Sequence, residues 1–298
     1  MNRRHFLRVF GIGALASAVL GTYAVAIEPL YRLRITRHAL TPPRWPPGLR
    51  LRVAVLADIH ACEPWMPRDR IARIVAATNA LTPDITLLLG DYVSGMRLAT
   101  RHPEPAEWAG ALAGLQAPLG VHAVLGNHDW WEDARVQARG HGPTAAGQAL
   151  QAAGIPVLEN RAVRLEKDGH PFWIAGLGDQ LAYTPTSRRR SWQGVDDLPG
   201  TLAQITDDAP VLMMAHEPDI FARMPERVSL TLSGHTHGGQ VRLFGYSPVV
   251  PSRYGNRYAY GPVVEGGRHL VVSGGLGCSI APIRFGSPPE VVVVELGG

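Results

Sequence analysis

Apolar residues in the segment 51–298 follow two patterns. One is typical of buried strands and the other of amphipathic helices. Residues 51–57 form an apolar run that ends at Asp58, which predicts a buried strand. Residues 67–81 follow with apolar side chains three and four positions apart, which predicts a helix that Pro67 opens. The alternation of these two patterns predicts an α/β body that forms one domain.

Further elements of both kinds follow along the chain. Strands are predicted at residues 84–89, 121–125, 155–158, 162–165, 172–176, 211–215, 228–232, 240–244, 269–273 and 291–295. Helices are predicted at residues 104–115 and in a segment that ends with residues 148–153. Together these elements predict a layered α/β/β/α body with mixed sheets.

The first 27 residues predict an export signal or a membrane anchor. Arg3 and Arg4 precede residues 9–27, which contain no charged side chain and are near the length that spans a bilayer. A twin arginine, an aromatic-leucine pair and a stretch rich in Gly and Ala resemble a Tat signal, so the Tat export machinery and the cytoplasmic membrane are expected partners. The body would then lie in the periplasm or on the outer face of that membrane. Ala24-Val25-Ala26 matches a cleavage site, and both cleavage and retention stay open.

Residues 28–50 predict an edge strand and a Pro-rich lead-in to the domain at 51–298. Residues 31–37 alternate between polar and apolar, and four prolines follow at 42, 43, 46 and 47. Residues 1–50 carry a net charge of +7, whereas the remaining 248 residues carry −3. A basic leader on a slightly acidic body argues against nucleic-acid binding. Cys62 and Cys278 allow one disulfide at most, and the sequence does not decide whether it forms.

Side chains of metal-ligand type follow the ends of successive predicted strands. They are Asp58 and His60, Asp91, Asn127 with His128, His216, and His235 with His237. Ligands of α/β sheets bind at the carboxyl ends of strands, so these side chains are expected to form one site. Two residues apart on an extended segment, the members of each Asp-x-His or His-x-His pair point the same way.

The composition of this set points to two metal ions. Without His128 it holds four His, two Asp and one Asn, which suit Mn, Fe, Zn or Co, and no Cys joins them as in structural zinc sites. Seven ligands are too many for one tetrahedral ion but suit two ions that share a carboxylate. Two-metal sites of this kind perform displacement at phosphorus.

These motifs together resemble the calcineurin-like metallophosphoesterase superfamily over about residues 50–298. The resemblance lies in Asp58-Ile59-His60, Gly90-Asp91-Tyr92, Gly126-Asn127-His128-Asp129, His216 and Gly234-His235-Thr236-His237. Ile27-Glu28-Pro29 and the segment from Gly275 to Phe285 are similar to Tat-exported bacterial members from the cell envelope. The resemblance implies the metallophosphatase fold, a four-layer α/β/β/α sandwich of two mixed sheets flanked by helices, with residues 31–40 as part of it.

The resemblance also implies a role for each residue of the set. Asp58, His60 and His237 would bind the first ion. Asn127, His216 and His235 would bind the second, and Asp91 would bridge both. A hydroxide shared by the ions would attack phosphorus in line. His128 would stabilise the developing charge or protonate the leaving oxygen.

The implied function is a dinuclear phosphoesterase of the cell envelope, acting on a phosphomonoester, a phosphodiester or a phospholipid. The alternative enzyme is a UDP-2,3-diacylglucosamine pyrophosphatase of lipid A synthesis, which export disfavours because nucleotide sugars are cytoplasmic. A metal-binding scaffold without catalysis is the alternative from another class, and the intact His128 argues against it. The substrate, the native metal pair and the oligomeric state stay open.

Four neighbouring residues each admit two interpretations. Asp129 would either orient His128 or its loop, or cap a helix. Trp130 and Trp131 would either wall the substrate pocket or pack beneath the loop. Arg284 would either reach a second phosphate or lie on the surface.

Overall fold

Two mixed sheets form the body of the protein in the computed structural model, which describes residues 3–187 and 189–298 and leaves out the side chains of Phe6, Arg8 and Val9. In chain order the strands are β1 (Arg34–Leu40), β2 (Leu51–Leu56), β3 (Ile85–Leu88), β4 (Val121–Ala123), β5 (Arg161–Lys167), β6 (His170–Gly176), β7 (Val211–Met214), β8 (Leu230–Ser233), β9 (Gly261–Glu265), β10 (Arg268–Val272) and β11 (Glu290–Leu296). The first sheet has the order β1-β11-β2-β3-β4, and the second has the order β5-β6-β7-β8-β10-β9.

Helices lie outside both sheets. They are α1 (Arg3–Thr22), α2 (Glu28–Tyr31), α3 (Arg68–Asn79), α4 (Pro105–Leu112), α5 (Asn127–Trp131), α6 (Ala134–Arg139), α7 (Ala145–Ala152) and α8 (Leu198–Leu202). A π-helical turn (Tyr23–Ile27) joins α1 to α2, and short 3-10 helices occupy Pro218–Arg223, His237–Gly239 and Gly255–Tyr258.

The alternation of side chains along the strands creates the layers. Val55 of β2 and Leu87 of β3 pack between the two sheets, against Leu212 of β7. The next residues, Leu56 and Leu88, face the other way and pack against α3, α4 and α7. Outward-facing residues of the second sheet pack against α8 and the 3-10 helix at Pro218–Arg223. The predicted α/β/β/α sandwich of two mixed sheets is confirmed.

Two predicted strands are wrong. Residues 155–158 make only a bridge between Val157 and Ala123, and Pro156 has no N–H to extend the ladder. Residues 240–244 are interrupted because the chain reverses at Phe244 and Gly245, which leaves single bridges at Val241 and Leu243. Apolar residues fill residues 155–158 and alternate with polar ones at 240–244, but neither pattern reveals where a chain turns.

The N-terminal helix (Arg3–Tyr31) is long and apolar enough to cross a membrane, and the part of it that meets this criterion is not buried by the rest of the protein. It comprises α1, the π-helical turn and α2. The chain then enters β1, which pairs in parallel with β11 at the edge of the first sheet. The division into 1–27, 28–50 and 51–298 stays a prediction, and its first two residues lie outside the described part of the chain.

Candidate metal centre

The structure brings all seven predicted metal-ligand residues together at the carboxyl ends of strands from both sheets. Asp58 and His60 follow β2, Asp91 follows β3, Asn127 begins α5 after β4, His216 follows β7, and His235 and His237 follow β8. All seven side chains are buried. The centre therefore lies where the ends of the two sheets face each other.

Four of these side chains form a first ligand group: Asp58, His60, Asp91 and His237. Their ligand atoms all lie within 4.8 Å of one another. The Nε2 atoms of His60 and His237 are 3.1 Å apart, and His237 Nε2 lies 3.8 Å from Asp58 Oδ1. Ring nitrogens and a carboxylate that converge in this way can hold one cation.

A second ligand group shares Asp91 and adds His216 and His235. Asn127 lies beside this group, and its Oδ1 is 2.8 Å from His235 Nδ1 and 3.2 Å from His216 Nε2. The same oxygen of Asp91, Oδ2, lies 3.4 Å from His60 Nε2 and 3.2 Å from His216 Nε2. Asp91 thus stands between the two groups.

Backbone carbonyls orient two of the histidine rings. His60 Nδ1 lies 2.9 Å from the carbonyl oxygen of Val93, and His216 Nδ1 lies 2.6 Å from that of Leu89. A carbonyl oxygen can only accept, so in each ring Nδ1 donates the hydrogen bond. In the neutral ring the lone pair is then on Nε2, which faces Asp91.

Five ligand residues adopt a left-handed backbone. The φ angles of Asp58, His60, Asp91, His235 and His237 lie between 45° and 68°. This region is disfavoured for residues other than Gly, Asn and Asp, and such strain is concentrated at functional sites. Sharp turns after β2, β3 and β8 therefore aim these side chains into the centre.

Burial favours the neutral form of two of these histidines, His60 and His237. It lowers the pKa of His60 to about 3. It also holds the pKa of His237 well below its usual value, and the neighbouring His60 and Arg284 act in the same direction. A neutral imidazole is the form that binds a metal ion.

The two aspartates respond differently to burial. Burial raises the pKa of Asp58 to about 7, and the adjacent Asp91 carboxylate acts in the same direction. Burial also opposes the charge on Asp91, but His216 and His128 outweigh it and hold the pKa of Asp91 well below its usual range. Asp91 thus favours its ionised form, whereas burial and the Asp91 charge both oppose ionisation of Asp58.

An observation that does not depend on the sequence motifs also indicates that these side chains bind divalent cations. Asp58 Oδ2 is buried and has no hydrogen-bond partner among the described residues. An orphaned carboxylate oxygen is costly unless a cation or water takes the place of the missing partner. Histidine nitrogens with carboxylate and amide oxygens suit Mn, Fe or Zn, so two such ions are the cofactors of this centre.

His128 lies beside the first ligand group at the floor of a cavity. Its ring is edge-on to that of His60, with centroids 4.9 Å apart. Its Nδ1 is 3.2 Å from Glu132 Oε1, and its Nε2 is 3.2 Å from Ser279 Oγ. Burial lowers the pKa of His128, but Asp91 and Glu132 outweigh it and raise the pKa. Glu132 is a partner that the motif search missed, although the i,i+4 spacing on one helical stretch signals it.

The cavity above the centre has a volume of about 230 Å³. Polar ligand residues form its floor, while Trp131, Val249, Pro251 and Ile280 form much of its wall. Trp131 thus walls the pocket, as one interpretation predicted, whereas Trp130 is buried in the core. Of Trp130 and Trp131, only Trp131 lies on the side of α5 that faces the cavity.

The Asp129 carboxylate hydrogen-bonds to backbone groups and not to the His128 ring. It accepts backbone N–H groups from Gly126, Asp91, Tyr92 and Val93, at 2.9 to 3.2 Å. The Asp129 carboxylate therefore ties the loop after β3 to the start of α5. This contact orients the loop and caps the helix, so both roles apply to Asp129.

Both interpretations of Arg284 are wrong. Its guanidinium is fully buried, donates to the carbonyl oxygens of Gly274, Gly277 and Ser287, and lies 3.3 Å from His237 Nδ1. Arg284 contacts the His237 ring on the side away from the other ligand residues, and it is not exposed to solvent. Cys62 and Cys278 are free and buried.

Comparisons with known proteins agree with this geometry. A family model described as calcineurin-like phosphoesterase matches residues 51–239. The chain is 30% identical to the uncharacterized metallophosphoesterase YkuE of Bacillus subtilis, over 99% of this chain and 98% of that protein. It is 29% identical to the phosphodiesterase YaeI of Escherichia coli over 99% of both chains. It is also 29% identical to a transmembrane protein with metallophosphoesterase domain of Danio rerio, over 77% of this chain and 52% of that protein.

Proposed function

Because the chain belongs to the calcineurin-like phosphoesterase family, and is a metal-dependent hydrolase of phosphoric esters, we propose that it cleaves a phosphodiester of the cell envelope at a dinuclear metal centre. The observation that carries the proposal is the position of Asp91 Oδ2 within 3.4 Å of a histidine nitrogen from each ligand group. The similarity to the phosphodiesterase YaeI over 99% of both chains supports the choice of a diester.

The proposed ligand assignment follows the two groups. Asp58, His60 and His237 hold one ion. Asn127, His216 and His235 hold the other, and Asp91 belongs to both. When bound, the two cations supply positive charge against the phosphoryl oxygens and acidify nearby water.

His128 is the proposed catalytic residue of the chain itself. Its Nε2 side borders the cavity, close to where the phosphoryl group of a substrate would lie. Glu132 at its Nδ1 keeps the ring oriented and favours the protonated form. A protonated His128 would stabilise charge on the phosphoryl oxygens or donate its proton to the leaving oxygen.

The test uses the full-length chain in detergent, with Asp91→Asn and His128→Asn. We expect the wild type to hold two metals and to hydrolyse a soluble diester, bis(p-nitrophenyl) phosphate, faster than the monoester. Asp91→Asn should lose metal and lower the turnover about 1000-fold or more, because a metal centre supplies several kcal/mol of stabilisation. His128→Asn should keep both metals and lower kcat by about 100-fold.

Asp208→Asn is the matched control, because the Asp208 side chain is exposed. It should leave the metal content and the turnover unchanged. A wild type that binds no metal, or an Asp91→Asn variant with undiminished turnover, would contradict the proposal. A preference for the monoester would contradict the choice of a diester.

The cellular location is part of the same proposal: the N-terminal helix (Arg3–Tyr31) directs export through the Tat machinery and leaves the body outside the cytoplasm. Its exposed apolar surface and the twin arginines at residues 3 and 4 support this. Replacing both arginines by lysine should keep the chain inaccessible to external protease in spheroplasts. Arg37→Lys is the control and should not alter access, and export of the double variant at the wild-type level would contradict the Tat route.

A further inference from the structure

An aromatic side chain occupies the tip of a tight turn near the metal centre. Leu243 and Tyr246 exchange both backbone hydrogen bonds, at 2.8 and 2.9 Å, around Phe244 and Gly245. The φ angles of these two central residues are 51° and 84°. Turns with positive φ at both positions favour Asn, Asp or Gly at the first, and a bulky residue there is strained. The Phe244 side chain is fully exposed, so no packing offsets this strain.

Phe244 belongs to a larger set of exposed apolar side chains on two loops, which we term the apolar rim. The rim consists of Leu243, Phe244, Tyr246, Val249, Ile280 and Ile283. The two loops run side by side, because the Arg242 N–H donates to the Phe285 carbonyl at 2.7 Å and the Phe285 N–H donates to the Gln240 carbonyl at 2.9 Å. Exposed apolar side chains grouped in this way mark interaction surfaces.

The second of these loops is also where the end of the N-terminal helix docks. The Arg284 N–H donates to the Ala24 carbonyl at 2.9 Å, and the rings of Tyr23 and Phe285 meet edge-on with centroids 5.9 Å apart. The Glu28 carboxylate accepts from the N–H groups of residues 286 and 287. If this helix crosses a bilayer, these contacts would hold the apolar rim next to the membrane surface.

The other side of the apolar rim reaches the metal centre. Val249 and Ile280 are 75% and 84% exposed, yet both line the cavity above the ligands. The cavity volume of about 230 Å³ is smaller than the ~300–1,000 Å³ of sites that enclose a drug-sized ligand. A lipid with long acyl chains would therefore extend out of this cavity, past Val249 and Ile280 and onto the apolar rim.

We propose that the apolar rim inserts into the bilayer crossed by the N-terminal helix, so that the metal centre opens on the membrane and takes a phosphoester of a membrane lipid. The substrate class rests on the function proposed above. In the reaction, a water oxygen bonds to phosphorus, one ester P–O bond breaks, and the departing oxygen takes up a proton. The apolar part of the lipid stays in the bilayer beside Val249 and Ile280.

The first test measures insertion by the full-length chain reconstituted into vesicles of equal parts phosphatidylethanolamine and phosphatidylglycerol. Phe244→Cys carries an environment-sensitive fluorophore, and Asp168→Cys is the matched control at a turn with nearly the same φ values. The wild type gives the background, because Cys62 and Cys278 are buried. We expect a blue shift and quenching by brominated lipids for the Phe244 probe only.

Two results would overturn insertion. One is equal emission from both probes. The other is a blue shift of the Phe244 probe that brominated lipids do not quench, which would indicate a protein partner such as a second copy of the chain.

The second test measures hydrolysis of vesicle phosphatidylglycerol relative to hydrolysis of bis(p-nitrophenyl) phosphate by the same preparation. For Phe244→Asn we expect this ratio to fall about tenfold, since the lost side chain no longer contributes apolar burial. Asp168→Ala should keep the wild-type ratio. Hydrolysis of the soluble diester with no hydrolysis of the vesicle lipid, or an unchanged ratio in Phe244→Asn, would overturn the lipid-substrate inference. A wild type inactive on both would instead refute the proposed function, while the insertion test would still decide where the apolar rim lies.

Discussion

The ligand loops of the metal centre and the turn at Leu243–Tyr246 both hold bulky residues in a left-handed backbone, but in opposite surroundings. At the centre the bulky residues are His60, His235 and His237; all three are buried, and their loops are fixed by hydrogen bonds such as that from the His235 N–H to Asp58 Oδ1 at 2.9 Å. At the turn, Phe244 has the same kind of φ angle and points into solvent. In the first region, burial and hydrogen bonds within the chain offset the strain. At the turn, the two backbone hydrogen bonds between Leu243 and Tyr246 hold the backbone, but no packing of the exposed Phe244 side chain offsets its strain.

An ordinary turn makes the difference clearer. Asp168 and Gly169 connect β5 to β6 with φ angles of 52° and 78°, nearly those of Phe244 and Gly245. Aspartate suits that backbone because its short side chain tolerates the left-handed region. The backbone of such a turn therefore does not require phenylalanine. We infer that Phe244 is present because of an interaction outside the turn itself.

The largest expected effect on this comparison comes from Gly126→Ala. A Cβ at this position would lie 2.4 Å from Asp91 Oδ1 and 2.6 Å from His216 Cε1, so both ligands would have to move. We expect the variant to lose at least one metal ion and to lower the turnover by about 100-fold, because misplaced ligands cost transition-state stabilisation. Metal analysis and hydrolysis of the soluble diester provide the measurement.

Gly110→Ala is the control for this change, because nothing lies within 4 Å of a Cβ added to this exposed residue of α4. It should leave metal binding unchanged. Full metal content and normal turnover in Gly126→Ala would show that the strained ligand loops tolerate displacement, and the contrast with the exposed turn would then disappear.

Much of the metal centre could be predicted because its signals are local. Each ligand follows an apolar strand within a few residues, and strand ends of an α/β fold meet at one edge, as for Asp58 and His216. The support of His237 by Arg284 could not be predicted in this way. Those residues are 47 positions apart, and only the packing of the loop after β10 brings them together.

The fold shows the same limit. Periodicity identified the sheets, because strands such as β2 and β3 pack on both faces and carry continuous apolar runs. It failed at residues 240–244, where polar and apolar residues alternate as in a strand but the chain turns after Leu243. Phe244 is the residue that misled the prediction, since an aromatic residue favours a strand and rarely occupies such a turn. The turn at Leu243–Tyr246, where Phe244 does not suit its backbone, is also the element for which we infer contact with the bilayer.

The smallest expected effect is on the thermal stability of the chain. It distinguishes backbone strain from side-chain packing at the turns that contain Phe244 and Asp168. In detergent, Phe244→Asn should raise the melting temperature by about 2 °C, because asparagine tolerates positive φ and relieves about 1 kcal/mol of strain. Asp168→Phe should lower the melting temperature by a similar amount. Differential scanning calorimetry on matched preparations provides the measurement. A lower melting temperature for Phe244→Asn would mean that the phenylalanine packs within the fold, and its exposure would then need no membrane to explain it.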